Sequence, residues 1–441
     1  MGVKVGIDVG GTFTDFLLSR PGEEPRIYKV LSTPDDPSIG LINGLTEIAA
    51  DAGLSITEFA RSIDTVVHGT TVTTNAVLTR SGARTGLLTT HGLRDALEMR
   101  RGVREEQYNN RYTNVVPLVP RFLRAPVRGR LNYRGDPIDP LCLDDIREAI
   151  SLFKREKIEA VAVCFMNAFA NREHEQQAAG LVREEMPDAY LTVSSEFLPS
   201  IRFYDRVSST VLNSYVGPRL SAYLDNLVAR LREIEFNGVL LVMQSNGGVM
   251  SPEVARSSPA RTLLSGPAAA PEAGLGYVRS HGQTSCITVD MGGTSFDAAL
   301  VRDGVATVIT EGQIDRLRIA LPMLDIVTIG AGGGSVGWID EGGLMRMGPQ
   351  SAGAEPGPVC YGKGGTRPTC TDADLVLGYL DGDFFAGGRI TLDADAATRA
   401  IDKHLAAPLG LSVEQAAAGM VRVINTNMAQ GVRAISIKRG F

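Results

Sequence analysis

The sequence predicts an α/β protein made of two similar halves. Three observations carry that reading: short apolar runs alternating with helical patterns, an internal repeat of one glycine-containing motif, and a length of 441 residues, well above that of a single domain. Residues 3–33 open with three β-rich runs, VKVGIDV, FTDFLLS and RIYKVLS. Gly-Gly-Thr at 10–12 and Pro-Gly-Glu-Glu-Pro at 21–25 separate them, which predicts an antiparallel meander. Beyond it, apolar runs at 65–69, 85–90, 160–165 and 239–244 alternate with helical patterns near 38–50, 71–80, 172–186 and 204–235. That order implies a partly parallel sheet with helices on its faces. The expected division is residues 1–200 with the first motif and 201–441 with the second.

Composition narrows the classes. Apolar residues at 44% and charged residues at 21% are those of an ordinary globular chain, whereas 49 glycines imply many tight turns or close backbone approaches. A net charge of −6 with dispersed Lys and Arg argues against a nucleic-acid partner. No run of 18 apolar residues and no leader-like start are present, so neither a membrane span nor secretion is expected. The five cysteines, at 142, 164, 286, 360 and 370, form no C-x-x-C pair, which points to a reduced, cytoplasmic protein without a zinc or iron–sulfur site. The five histidines make no H-E-x-x-H, which excludes metalloprotease chemistry of that type.

The internal repeat is the most informative feature. Residues 6–18 (GIDVGGTFTDFLL) return 282 positions later as 288–300 (TVDMGGTSFDAAL). Asp8/Asp290, Gly10/Gly292, Gly11/Gly293, Thr12/Thr294 and Asp15/Asp297 are identical, and both copies lie in strand–turn–strand context. Paired glycines permit the positive φ angles of a tight hairpin turn and remove side chains that would keep a phosphate from backbone N–H groups. The threonine adds a hydroxyl donor, and an aspartate at the strand end offers oxygen to Mg²⁺ or its waters. Two such hairpins, one in each half, would grip the β- and γ-phosphates from opposite sides of a cleft. Asp15 and Asp297 suit either orientation of the turn or metal contact.

These residues resemble the superfamily that holds acetate kinase, sugar kinases, heat-shock chaperones and actin. Val67–Ala76, Arg100-Arg101-Gly102, Gln244–Gly248, Ser265–Ala268, Gly330–Ser335 and Gly348–Gly353 narrow the resemblance, over essentially the whole chain, to the hydantoinase A / 5-oxoprolinase family. The resemblance implies an actin-like ATPase (ribonuclease H-like) fold with two halves around a nucleotide cleft. It also implies ATP and Mg²⁺ as cofactors and a hydantoinase B type subunit as partner. The implied activity is ATP-driven opening of a cyclic amide such as a hydantoin or 5-oxoproline, with carboxylation of a ketone as the close alternative. A non-catalytic ATPase switch is the alternative from another class.

On this reading Gly10, Gly11, Thr12, Thr14, Gly292, Gly293 and Thr294 contact phosphate, and Asp8 and Asp290 organise Mg²⁺ and water at the catalytic centre. His68 ends a strand and opens a helix, where it serves either as a catalytic group or as a hydrogen-bonded packing residue. Arg100 and Arg101 follow a helix and are candidates for substrate or subunit contact. Gln244, Ser245 and Asn246 end an apolar strand, the usual place for ligand loops in α/β folds, and are candidates for substrate contact. Gly332 and Gly333 lie in a glycine loop that faces the nucleotide or forms a structural turn; Ser335 stands where a dinucleotide fingerprint needs glycine. Gly357–Gly364 imitates a P-loop but ends in glycine where Ser or Thr would bind Mg²⁺. Family members are expected to continue past Phe441, so the second half is read as truncated or completed by another polypeptide. The apolar face of a helix over 413–437 is then expected to need a partner.

Overall fold

The computed structural model describes residues 2–10, 13–33, 36–102, 104–353, 355–385, 388 and 390–441, in two compact units. Unit 1 comprises residues 1–266 and 308–323, and unit 2 comprises 267–307 and 324–441. Unit 1 begins with the expected meander of β1 (Val3–Val9), β2 (Phe13–Ser19) and β3 (Arg26–Leu31). Helix α1 (Pro37–Asp51) starts at Asp36, whose carboxylate accepts the Ser38 N–H at 3.1 Å and caps the first turn. Next come β4 (Ile63–Thr70), α2 (Val72–Leu78), β5 (Thr85–Thr90), β6 (Arg124–Val127) and α3 (Leu143–Arg155). They are followed by β7 (Ala160–Cys164), α4 (Glu173–Glu185), β8 (Tyr190–Val193), α5 (Phe203–Glu233), β9 (Val239–Met243) and β10 (Val249–Met250).

Two sheets result. The first has the order β10-β9-β4-β1-β2-β3, with β4 parallel to β1 and β9 parallel to β4. The second, β8-β7-β5-β6, is parallel throughout; its inner strand β7 (AVAVC) is a continuous apolar run and, like β5, is buried along its whole length, as a sheet covered on both faces requires. The 31 residues of α5, about 46 Å long at helical rise, serve both sheets. Val207 and Val211 join the core of the parallel sheet, and Leu220, Leu224, Leu227 and Leu231 join that of the mixed sheet. Arg230 of α5 also bonds Asp36 at 2.9 Å and Ser38 at 2.9 Å, fixing the start of α1.

Unit 2 repeats the meander. After α6 (Ala270–Arg279), β11 (Cys286–Met291) pairs with β12 (Phe296–Arg302), which pairs with β13 (Val305–Ala306) and β14 (Ile326–Ile329). A hairpin of β15 (Ser335–Ile339) and β16 (Met345–Ser351) follows, then α7 (Cys370–Val376), α8 (Ala394–Ile401) and α9 (Val413–Ile435). β11 is an edge strand whose Ile287, Val289 and Met291 are 38%, 57% and 43% exposed, whereas the matching Val5, Ile7 and Val9 lie in the core of unit 1.

The apolar face of α9 does not need an outside partner, which corrects the sequence expectation. Met420, Ile424 and Ile435 are at most 1% exposed and pack with Phe296, Ala298 and Met347 of this same unit. Gly431 makes the approach possible, since a Cβ there would already lie 3.4 Å from the Phe296 ring.

Replacing Leu224, fully buried at the centre of α5, with Ala should cost about 2–5 kcal/mol through lost burial and a residual cavity. Urea denaturation followed by circular dichroism measures it, and a cost under about 1 kcal/mol would show that α5 does not anchor the mixed sheet.

Candidate functional site

The repeat is preserved in three dimensions. In the first copy Asp8 lies directly opposite Asp15 across β1 and β2, and the Gly10 N–H donates to the Phe13 carbonyl at 3.0 Å. In the second, Asp290 lies opposite Asp297 across β11 and β12, and the Gly292 N–H donates to the Ser295 carbonyl at 2.9 Å. Gly11 and Thr12 of the first turn lie outside the described residues. Gly10, Gly292 and Gly293 are not in the left-handed region, so positive φ is not the reason for glycine at these positions. The reason at Gly10 is proximity, with its Cβ position 3.0 Å from the Phe13 carbonyl oxygen.

The second turn is held from behind by the glycine loop over 330–335. The Gly333 N–H donates to the Gly292 carbonyl at 3.0 Å and the Gly334 N–H to the Gly293 carbonyl at 2.7 Å. A Cβ on Gly332 would lie 2.6 Å from the Gly292 oxygen and 2.8 Å from the Thr294 nitrogen, so a side chain there is incompatible with the contact. The loop is fixed in turn by Thr371, whose N–H and hydroxyl both donate to the Gly333 carbonyl, and by the Ser335 hydroxyl, which accepts the Gly332 N–H. The Gly292 and Gly293 carbonyls of the turn are therefore occupied. The N–H groups of Gly293 and Thr294 are exposed and have no acceptor among the described residues. Consecutive free N–H groups at a turn form a concavity suited to an anion.

Beside them stand Asp290, exposed, and Asp297, partly buried. Burial pushes the Asp297 carboxyl above the usual range; the Thr328 hydroxyl, donated to it, opposes that shift and the Asp290 charge reinforces it. Among the described residues no group of three or more His, Cys, Asp or Glu could hold a metal by itself. Mg²⁺ suits the oxygen donors here only in its common mode, in which one or two carboxylates share the ion with water and phosphate.

In unit 1 the strand ends gather around the first hairpin. Gly69 of β4 pairs with Asp8 of β1, and a Cβ there would stand 3.1 Å from the Asp8 carboxylate. The Thr71 hydroxyl donates to the Val9 carbonyl at 3.2 Å, and the Ser265 hydroxyl to the Thr70 carbonyl at 3.2 Å. Gly69 and Ser265 had no assigned role in the sequence reading, because nothing local marks a glycine that makes room for a carboxylate on the neighbouring strand.

Other expected residues lie elsewhere. Thr14 is fully buried on the face of β2 opposite to Asp15 and bonds Ser32 at 2.9 Å, which corrects its reading as a phosphate contact; Ser32 in turn donates to the Gly10 carbonyl. Asp15 pairs with Lys29. His68 is fully buried, with Nε2 2.7 Å from the Tyr223 hydroxyl and Nδ1 without a partner among the described residues, the placement of a core histidine. Burial pulls its pKa down to about 4. Arg100 is enclosed by Glu105, Tyr112 and Tyr204, and Glu105, held by Arg100, falls to about 2. Arg101 is half exposed, 4.0 Å from Glu311. Ser245 is buried, its hydroxyl within 2.7 Å of the Arg261 and Leu263 carbonyls. Gln244 donates to the Val249 carbonyl, and Asn246 accepts the Gly248 N–H. Ser245 thus braces the segment that leads to Ser265, while Gln244 and Asn246 close the turn before β10.

Two predictions follow from this geometry. Gly332→Ala should destabilise unit 2 by about 1–3 kcal/mol, because backbone must move to admit the methyl group. Gly293→Ala, with nothing within 4 Å of its Cβ position, should cost less than about 1 kcal/mol. Equal denaturation midpoints for the two variants would contradict the packing described. For His68, the unfolded chain takes up a proton as pH falls through 6.5 while the folded chain resists until about 4, so stability is present above pH 6.5 and lost across that window. The loss should approach about 3 kcal/mol and flatten in His68→Gln, read as the urea midpoint against pH.

Family comparisons agree with the motif reading. Residues 4–186 match the model described as hydantoinase/oxoprolinase N-terminal region, and residues 206–441 match the model described as hydantoinase/oxoprolinase. The caprolactamase subunit alpha of Pseudomonas jessenii is 42% identical over 440 residues, covering 99% of this chain and 63% of that protein. The crystal structure of the ATP-dependent caprolactamase from the same organism superposes with a TM-score of 0.87, over 99% of this chain and 64% of that one. A nucleotide-free acetone carboxylase structure superposes with a TM-score of 0.88 at 29% identity, over 100% of this chain and 64% of that one. The chain thus spans somewhat under two thirds of the length of these relatives. Among the described residues, no single helix is long and apolar enough to cross a membrane.

Proposed function

The chain belongs to the hydantoinase/oxoprolinase family, and from that premise we propose that it is the ATP-binding part of an ATP-dependent enzyme that opens cyclic amides. Its fold is α/β, of the actin-like ATPase type found in the caprolactamase and acetone carboxylase structures. The observation that carries the reading is the second hairpin: two adjacent N–H groups without acceptors among the described residues, Gly293 and Thr294, beside the carboxylates of Asp290 and Asp297. The first hairpin repeats the same register at Asp8, Gly10 and Asp15.

The roles follow from the chemistry. A lactam carbonyl is a poor electrophile, and ATP, when bound, would supply the phosphoryl group that turns its oxygen into a leaving group. What the protein must provide is position and charge compensation more than a nucleophile. The N–H groups of Gly293 and Thr294 would hold phosphate oxygens, with Gly332 and Gly333 holding the turn from behind. Asp8 and Asp290 would orient Mg²⁺ through its waters, since each stands exposed at a strand end. His68 and Arg100 supply structure in this scheme: the first is neutral and enclosed, the second already paired.

The likeness to acetone carboxylase favours a second reading, the same ATP chemistry serving carboxylation of a ketone. Both readings include a second subunit of hydantoinase B type, in keeping with the subunit designation of the caprolactamase relative.

The test is Mg²⁺-dependent ATP hydrolysis by the chain with its partner subunit, across hydantoins, 5-oxoproline, caprolactam, and ketones with bicarbonate. A cyclic amide should stimulate turnover, and Asp290→Ala should lower kcat/KM by about 10²-fold or more. Stimulation only by a ketone with bicarbonate would transfer the chain to the carboxylase reading, and an Asp290→Ala enzyme as active as wild type would remove the carboxylate from the mechanism.

A further inference from the structure

Lys and Arg, spread thinly along most of the chain, gather in one segment. Residues 99–124 hold six arginines, two glutamates and no lysine or aspartate, a formal charge of 6 − 2 = +4 in a chain whose net charge is −6. Between Met99 and Arg121 the described residues form neither helix nor strand. Connections of that length without secondary structure are uncommon in compact domains and usually serve a function. The phosphate chemistry of the two hairpins leaves this one unused.

The arm is held at its base and open along its length. Arg100, with φ at +55° and a side chain only 10% exposed, donates to the Glu105 carboxylate, to the Tyr112 hydroxyl at 3.2 Å and to the Tyr204 hydroxyl of α5 at 3.3 Å. Arg316 lies over the Tyr112 ring at 4.9 Å and donates to the Thr113 carbonyl at 2.9 Å. Away from that anchor the side chains face water. Tyr108 is 91% exposed, and Met99, Val116 and Phe122 are 72%, 73% and 57% exposed. Arg104 and Arg111 are exposed and make no ion pair among the described residues. Where the arm rejoins the fold, Val116, Pro117 and Phe122 line a groove of about 690 Å³ together with Tyr215 of α5, and Arg80 and Arg84 complete its wall.

Arginine, tyrosine and methionine with lysine absent is the composition of a protein interface, where a few aromatic and arginine side chains carry most of the affinity. A base already fixed by Arg100 spares much of the ordering cost of binding. The positive charge, opposite in sign to that of the whole chain, fits an acidic face; the same arm on a second copy of this chain would bring like charges together. We propose that the arm over residues 99–122 and its groove are the docking surface for the second subunit of the enzyme, which presents carboxylates to Arg104 and Arg111 and an apolar side chain to the groove. The assignment rests on the reading of this chain as one part of a two-subunit enzyme and adds the surface by which the two are joined.

The experiment is association of the chain with a hydantoinase B type subunit, followed by surface plasmon resonance at about 0.05 M and about 0.5 M salt. Wild type is compared with Arg104→Glu/Arg111→Glu, with Tyr108→Ala and, on α3 away from the arm, with Arg155→Glu, alongside thermal melting. The double reversal should weaken association by about tenfold or more at low salt, chiefly through a slower on-rate, and the deficit should shrink at high salt. Tyr108→Ala should weaken it by about tenfold at either salt, through faster dissociation. Arg155→Glu should bind as wild type does, and all melting temperatures should agree within about 3 °C, since each of these side chains is exposed. An equal loss in Arg155→Glu overturns the assignment, as does a deficit of the double reversal that salt leaves unchanged. Self-association of the chain that the arm variants abolish overturns it in favour of a second copy. If wild type binds no second subunit, the two-subunit reading fails and the assignment with it; if wild type and both arm variants bind equally well, the assignment falls and that reading stands.

Discussion

The backbone contact between the 330–335 loop and the second hairpin is the constraint on which the site depends. Two hydrogen bonds, from the N–H groups of Gly333 and Gly334 to the carbonyls of Gly292 and Gly293, fix the turn by its acceptors and leave its donors exposed. Had side chains stood at 332 or 334, loop and turn would be separated by at least a methyl group and the carbonyls would turn to solvent. A turn held this way does not reorganise when an anion arrives, and that preorganisation is what electrostatic binding in an active site requires.

In unit 1 the same aim is met by different means. The Gly10 carbonyl is taken by Ser32, and the strand ends of β1 and β4 are joined by Thr71 and Ser265. The repeat therefore conserves the hairpin and its aspartates and varies what supports them. It also varies the charge beside them, since lysine in one unit takes the place that threonine takes in the other. Sequence identity between the two copies ends where those supports begin.

Much of this was legible in the sequence. Alternation gave the meander and the parallel strands, and five identities in register gave the paired hairpins, because both signals are local and periodic. What was not legible came from distance. Arg100 reads as a free cation until Tyr204, more than a hundred residues away, is seen against it. The polar run at Gln244–Asn246 reads as a ligand loop, yet Ser245 points its hydroxyl at the carbonyls of 261 and 263. The apolar stripe of α9 was plain, but the surface that covers it is a sheet whose Phe296 lies over a hundred residues earlier. Thr14 was the avoidable error: strand alternation already places it on the opposite face from Asp8 and Asp15.

The most direct test of the central claim, that the exposed N–H groups of the second turn hold phosphate, is amide hydrogen exchange with and without ATP and Mg²⁺. The claim predicts slower exchange across residues 290–295. Binding that leaves exchange at 290–295 unchanged while protecting another segment would contradict it.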